Sequence, residues 1–429
     1  MYRLLLIALY LSGSSYTAAA QAPATDTVRY RMQEAEKVFL QNNLPLLAGK
    51  LNISQADAHI LQAKAWPNPT LSLGDVQLYN NASTDPSPPL FGNFWRNRTF
   101  TAQLEQLVYT AGKRRKNINL QTTNKALAEQ SFTEMLQSLK AEFRQTEAEL
   151  LYLQEVQGDQ QYQLSVVNEL VRAQQGQLRE GNISQSEMYR IKALQISLQS
   201  DINSTHEDIT EKQEQLKNLM AIDPKAYLVL EDDTTVSTLV AKMKQHPLDD
   251  LLSLSTTHNA GIQTAATEKK VNEASLVVER ANRVPDVTFN AGYDRNGNNQ
   301  LNFVGLGASM DLPVFNRNKG NIKVAQLEVQ KSDLMYQNKV KEVNNAVVKA
   351  WTDLHQAIVL YESIDQDYLE KLDALMGGVS RNFMHRDISL LEFLDLFSSF
   401  RSSKEQYYTA IKNINLKKET LNYLTGTEL

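Results

Sequence analysis

The side chains best suited to metal or acid–base chemistry are six histidines, His59, His206, His246, His258, His355 and His385. They fall in unrelated segments with no His-Glu-x-x-His or other paired metal spacing, which makes them surface or packing residues. Gly305-Leu306-Gly307 begins like a dinucleotide loop, but no third glycine follows and the segment runs into Asp311-Leu312-Pro313 instead of a helix. Neither a nucleophile elbow nor a phosphate-binding loop occurs. The ten methionines, Met1 included, are scattered as core residues are, and do not mark copper as a cargo. No catalytic residue, cofactor site or metal site is therefore expected. What remains is acidic: Glu392 and Asp395 are three residues apart and share one helix face, with Glu187 and Arg190 at the matching positions of an internal repeat. On their own, such pairs are the solvated face of a helix.

The elements that position these groups belong to an exported chain. Arg3 provides a positive start, Leu4–Leu11 an apolar run, and Ala18-Ala19-Ala20 a small-residue cleavage site before Gln21, the layout of a signal peptide over 1–20. That apolar run is too short to span a bilayer. The chain has no cysteine, so disulfides and a lipid-modified cysteine are not expected. Its 429 residues suffice for two ordinary domains, yet the mean hydropathy is −0.41 and only 8% of residues are aromatic. No later segment offers the roughly 18 continuous apolar residues of a spanning helix, so any membrane span has to be built from strands. A net charge of −5 argues against nucleic acid as a partner.

The sequence repeats itself once. At an offset of 218, Pro67, Thr70 and Gly74 meet Pro285, Thr288 and Gly292, and Ala48, Ala56 and Ala63 meet Ala266, Ala274 and Ala281. At an offset of 205, Ile183-Ser184 and Glu187 meet Ile388-Ser389 and Glu392, and the register runs on without a gap to Leu219 and Leu424. Each half opens with a helix ended by a proline, Pro67 or Pro285. Alternating strands follow, at about 70–79 and 98–109 in the first half and at about 286–294 and 300–312 in the second. Phe100, Ala102 and Leu104 alternate with Thr101, Gln103 and Glu105, the pattern of a strand with one face to lipid and one to water, or of a hairpin in a soluble sheet. The connecting loops are a long one at 82–96 and a tight turn at 294–299. Four strands are too few for a barrel within one chain.

After the strands each half turns helical. Leu136, Leu139, Phe143, Leu150 and Leu153 follow coiled-coil spacing, resumed by Leu164, Val167, Val171 and Leu178, and in the second half by Val340, Val343, Val347, Leu354 and Tyr361. Such stretches of 65–70 residues reach about 100 Å. Breaks near 181–183 and 385–388 fold each half into a long helical hairpin, over 113–221 and 318–424. Pro224, Glu231-Asp232-Asp233 and Pro247 interrupt the pattern between the halves, giving a first repeat at 21–221, a linker at 222–257 and a second repeat at 258–426.

Strand, strand and long helical hairpin, duplicated, resembles the TolC-type outer-membrane efflux proteins, and within them the CzcC/CusC-like branch of metal-cation exporters. The matching residues are Trp66-Pro67-Asn68-Pro69-Thr70-Leu71, Gln106-Leu107-Val108-Tyr109 with Gly112-Lys113-Arg114, Val284-Pro285-Asp286-Val287, and Asp311-Leu312-Pro313-Val314-Phe315-Asn316-Arg317-Asn318-Lys319-Gly320-Asn321-Ile322. Gly181-Asn182-Ile183-Ser184, Asp387-Ile388-Ser389-Leu390-Leu391-Glu392 and the ending Leu424-Thr425-Gly426 also match. The likeness covers nearly the whole chain after the signal peptide. Many members of this branch carry an N-terminal lipidated cysteine, which this chain lacks.

The resemblance implies a mainly α fold with a small β part. It implies a homotrimer whose twelve-stranded barrel spans the outer membrane and continues as an α-helical tunnel across the periplasm. It places segment 222–257 in a belt around the helices. It also implies a periplasmic adaptor docked at the hairpin tips (Gly181, Asn182, Ile183 and Ser184; Arg386, Asp387, Ile388 and Ser389) and an inner-membrane pump of the RND type. Glu392 and Asp395 fall where such channels place an acidic pair at the periplasmic entrance, with Glu187 and Arg190 beside it. The expected function is a passive conduit, with no enzymatic activity and no cofactor, for metal cations or small toxic compounds. The alternative is a periplasmic coiled-coil scaffold or adaptor-like protein that forms no channel, which has no need of the four alternating strands.

Overall fold

A computed structural model describes residues 27–74, 99–231, 235–295, 302–364 and 368–429. The signal-peptide segment, the 82–96 loop and most of the 294–299 turn lie outside them. The chain begins with β1 (Thr27–Arg31), α1 (Met32–Asn42) and α2 (Leu44–Lys64), followed by β2 (Thr70–Gly74) and β3 (Phe100–Val108). The first hairpin is α3 (Lys113–Arg179) and α4 (Gln185–Met220). Next come β4 (Tyr227–Glu231), α5 (Val236–Met243), α6 (Leu248–His258) and α7 (Ala260–Asn282). The second half continues through β5 (Val287–Arg295), β6 (Phe303–Met310), α8 (Lys319–Glu362), α9 (Tyr368–His385) and α10 (Leu390–Thr425).

The two halves repeat each other down to single hydrogen bonds. Asn43 caps α2 by accepting from the Leu46 amide and donates to the Leu219 carbonyl at 2.8 Å. Asn259 caps α7 by accepting from the Ile262 amide and donates to the Leu424 carbonyl at 3.0 Å. Both asparagines are buried, and each ties a helix elbow to the last turn of its own hairpin. Gly426 ends α10 with φ +70 against the His258 carbonyl, and a β-carbon there would collide with that oxygen.

Three features differ from the sequence expectation. The segment 222–257 is more regular than an irregular linker: β4 pairs in parallel with β1, and α6 is the second-half counterpart of α1. The second long helix, read as continuous because its apolar spacing runs unbroken to Tyr361, ends at Glu362 and resumes as α9. No proline announces that break. Strand β6 stops at Met310, two residues short of the expected end.

Among the described residues the buried apolar side chains form three clusters. One fills the distal hairpins, with Leu170, Ile191, Met376, Phe393 and Phe397 at its centre. The other two fill the body: Phe39, Phe143, Leu150 and Leu216 in the first half, and Val347, Leu354, Ile414 and Leu421 in the second. Arg144 joins the halves by pairing with Glu36 at 2.9 Å, Glu419 at 3.5 Å and Glu428 at 2.7 Å. Hydrogen bonds from Lys140 and then Arg144 hold the Glu428 carboxyl at about 2, well below its ordinary range.

Candidate channel wall and periplasmic tips

The four strands form one antiparallel sheet in the order β2-β3-β5-β6. Directly paired residues point to the same face, so the register sorts the side chains. Leu73, Ala102, Tyr293 and Val304 align across all four strands, and Leu71, Leu104, Ala291 and Leu306 form the next row. The opposite face carries Ser72, Gln103, Gly292 and Gly305, then Thr70, Glu105, Asn290 and Gly307. One face is apolar and the other polar, and in the single chain both are open: on the apolar face Leu71 is 65% exposed and Leu306 86%. No helix covers it. In water this arrangement is unfavourable at roughly 25 cal/mol for each Å², and in lipid the penalty disappears. The nine residues of β5 give about 30 Å of strand, enough when tilted to cross most of an apolar band about 25 Å tall. Phe100 and Tyr293 stand together at the far end, ring centroids 6.2 Å apart, as an aromatic girdle would. Phe100, Ala102 and Leu104, the proposed lipid-facing residues, all lie on the apolar face.

At the opposite end of the molecule the two tips are built alike. Gly181 and Arg386 both take the left-handed conformation, with φ 74 and φ 66. The next residue turns back the same way in each: the Asn182 amide donates to the Gln177 carbonyl and the Asp387 amide to the Asn382 carbonyl, both at 2.8 Å. Ser184 and Ser389 cap the return helices, accepting from the Glu187 amide at 3.1 Å and the Glu392 amide at 3.2 Å. The guanidinium of Arg386 donates to the Gln177 side chain, joining the two tips. Ile183 and Ile388 turn inward onto the distal core.

The acidic residues here are not equivalent. Glu187 accepts from the Ser184 amide at 2.8 Å, and this bond, then one from the Ser184 hydroxyl, holds its carboxyl below the ordinary range, with Arg190 and Arg386 adding to the effect. Glu392 and Asp395 are exposed, and within the protomer neither forms an ion pair with Arg190. Among the described residues no helix is long and apolar enough to cross a membrane, and no cluster of histidine and carboxylates has metal-site geometry.

Sequence reasoning missed the paired β1 and β4, the asparagine clamps and an ionic layer at mid-hairpin. In that layer Lys404 reaches Asp159 and Asp373, each at 2.5 Å, and Arg401 reaches Asp201 at 2.6 Å. The alternation in Thr-Val-Arg-Tyr-Arg and Tyr-Leu-Val-Leu-Glu was a signal for the strands. The lysine stands where the apolar seam of α10 lapses after Phe400, which was a signal for the layer.

A sheet with an uncovered apolar face, rooted in a helix of 67 residues, suits a channel that crosses a membrane on strands and continues outside it on helices. The comparisons agree. The family of outer membrane efflux proteins matches at residues 37–221 and 251–373, and the chain belongs to it. The cobalt-zinc-cadmium resistance protein CzcC of Cupriavidus metallidurans is 19% identical over 396 residues, 92% of this chain and 90% of its own. The fold is that of VceC from Vibrio cholerae, with a TM-score of 0.71 at 16% identity over 92% of this chain and 96% of that one. CusC gives a TM-score of 0.71 at 18% identity over 94% of each chain. The protein is thus an outer-membrane efflux channel of the CzcC/CusC-like kind.

Proposed function

We propose that three copies close one twelve-stranded barrel and act as the passive outer-membrane exit of a tripartite exporter of metal cations. The observation that carries the assembly is the sheet itself: among the described residues β2 and β6 each present an unpaired edge. An open edge in lipid leaves backbone groups unsatisfied at several kcal/mol each. The strands alternate in direction, so β6 of one copy meets β2 of the next antiparallel, and the ring closes without a mismatch. Sizing with light scattering in mild detergent tests this: a trimer is expected, and a stable monomer with full β content overturns it.

In this reading the tips at Gly181–Ser184 and Arg386–Ser389 receive a periplasmic adaptor, which couples the channel to an inner-membrane pump of the RND type. Glu392 and Asp395, repeated three times, ring the entrance and favour cations. The cargo assignment rests on the CzcC likeness, which runs over 92% of this chain, and on that acidic entrance. Deleting the gene should sensitise the host to cobalt, zinc or cadmium, and the intact gene should restore resistance. Unchanged tolerance to all three metals, with new sensitivity to organic compounds alone, overturns the metal assignment.

A further inference from the structure

The duplicated chain contains one finished junction between strands and helices and leaves its twin unfinished. At the finished one, β3 pairs with β5 down to Val108 and Val287. Just below, the Thr110 amide donates to the Asp286 carboxylate at 2.9 Å, the Thr110 hydroxyl donates to the Pro285 carbonyl at 2.5 Å, and Lys113 forms an ion pair with Asp286 at 2.8 Å. The segment entering α3 is thereby stapled to the segment leaving α7.

The repeat gives each of these residues a counterpart. Pro285 and Asp286 correspond to Pro67 and Asn68 at the offset of 218. Tyr109, Thr110, Gly112 and Lys113 correspond to Phe315, Asn316, Asn318 and Lys319 at an offset of 206. The backbone supports that second alignment: Gly112 and Asn318 both precede their helix in the left-handed conformation, with φ 65 and φ 56. Within one protomer the counterparts cannot meet, because β2 and β6 are opposite edges of the sheet. Phe315 is fully exposed, and neither the Asn68 nor the Lys319 side chain has a hydrogen-bond or ion-pair partner among the described residues, while the Pro67 carbonyl accepts from Gln106 at 3.0 Å and keeps a second lone pair for another donor.

We infer that the segment Phe315–Lys319 of one copy docks on Pro67-Asn68 of the next, repeating between protomers the staple that Thr110 and Lys113 make within one. The inference rests on the ring assembly proposed above. It adds a specific contact: Asn316 takes the place of Thr110 against Asn68 and Pro67, Lys319 sits over Asn68, and Phe315 is covered. The within-chain staple is ionic through Asp286, whereas the seam between copies presents an amide at position 68. The contact at position 68 therefore carries no ion pair.

The chain has no native cysteine, so an introduced pair reports without background. Asn68→Cys with Asn316→Cys in the full-length protein, extracted in mild detergent and oxidised, should give a covalent trimer on a denaturing gel that reverts to monomer on reduction. Each single variant should stay monomeric on that gel. A native trimer of the double variant that never cross-links overturns the inference while leaving the ring intact. Asn68→Asp offers Lys319 the carboxylate that Lys113 already has. It should raise the temperature at which the trimer dissociates, and the rise should vanish in molar salt and in a Lys319→Gln background. No rise, or a rise that survives both, also overturns it. A wild-type chain that is monomeric in detergent removes the ring and the seam together, and is recognised by the absence of a trimer in every variant.

Discussion

Glu187 and Glu392 occupy the same place in the repeat and share one bond, an amide donated to the capping serine. Only Glu187 returns the favour: its carboxylate accepts from the Ser184 amide, completing a capping box. No such bond ties the Glu392 carboxylate among the described residues, which suits the entrance role proposed for it. The two positions should respond differently to neutralisation. Glu187→Gln should weaken the cap by about 0.5 kcal/mol or less and leave ion selection unchanged. Glu392→Gln with Asp395→Asn should reduce cation selectivity and block by multivalent cations in planar-bilayer recordings, with trimer stability unchanged. The reverse assignment of effects would remove Glu392 and Asp395 from the entrance. The acidic pair was legible in the sequence from its spacing. The division of labour was not, because a capping carboxylate and a free one look alike until the backbone around them is known.

Strands β2, β3, β5 and β6 were legible because a period of two places every second residue on one face, and the structure sorts the faces as the alternation did. Ala102 lies between Leu73 and Tyr293 on the apolar face, and Thr101 between Gly74 and Asp294 on the other. Ala102→Arg should therefore cost roughly 2–4 kcal/mol near the bilayer midplane and prevent insertion. Thr101→Arg should insert and change conductance, and heat-modifiable migration with conductance measurement separates the two. The tips offer a second test at this scale. Gly181 has open space around it, but its φ of +74 disfavours any side chain, and a substitution there is strained by about 1–2 kcal/mol. Arg386 bears the same conformation with a long side chain, so the turn survives the strain. Gly181→Leu should thus abolish export while the trimer persists on sizing; normal export would count against docking at the tips. Less legible were the parallel pairing of β1 with β4 and the interruption after Glu362. The first joins segments about 200 residues apart through a register that no local pattern states. The second follows an apolar seam that runs on to Tyr361 as if the helix continued.

At the scale of the whole molecule, the hairpins are divided by a polar level that crosses α3, α4, α9 and α10. Above it on α10 stand Phe393, Phe397 and Phe400, below it Ile414 and Leu421, and between them Arg401 and Lys404 reach Asp201, Asp159 and Asp373. Burial works against the Lys404 ammonium, but hydrogen bonds to Asp159 and Asp373 outweigh it and raise its pKa above 10.5. Because the folded value is raised, the contribution of Lys404 is fully present below the unfolded value and is lost only as pH rises through the folded one. The Lys404 ammonium is therefore not what limits the layer at neutral or acidic pH. A buried ionic layer adds little net stability over an apolar one, yet leaving one partner behind is costly. Lys404→Met leaves Asp159, which is 10% exposed, without a counter-charge and with the Gln163 amide as its remaining donor, and should destabilise the fold by about 3 kcal/mol. Lys404→Met with Asp159→Leu and Asp373→Leu removes the stranded charge and should recover most of that loss. If the layer marks a boundary between separately packed cores, the single variant should raise amide hydrogen exchange in α9 and in the distal part of α10, while α2 and α7, which pack in the body, keep their protection. A uniform rise in exchange across all four helices would show instead that the hairpins and the body unfold as one unit.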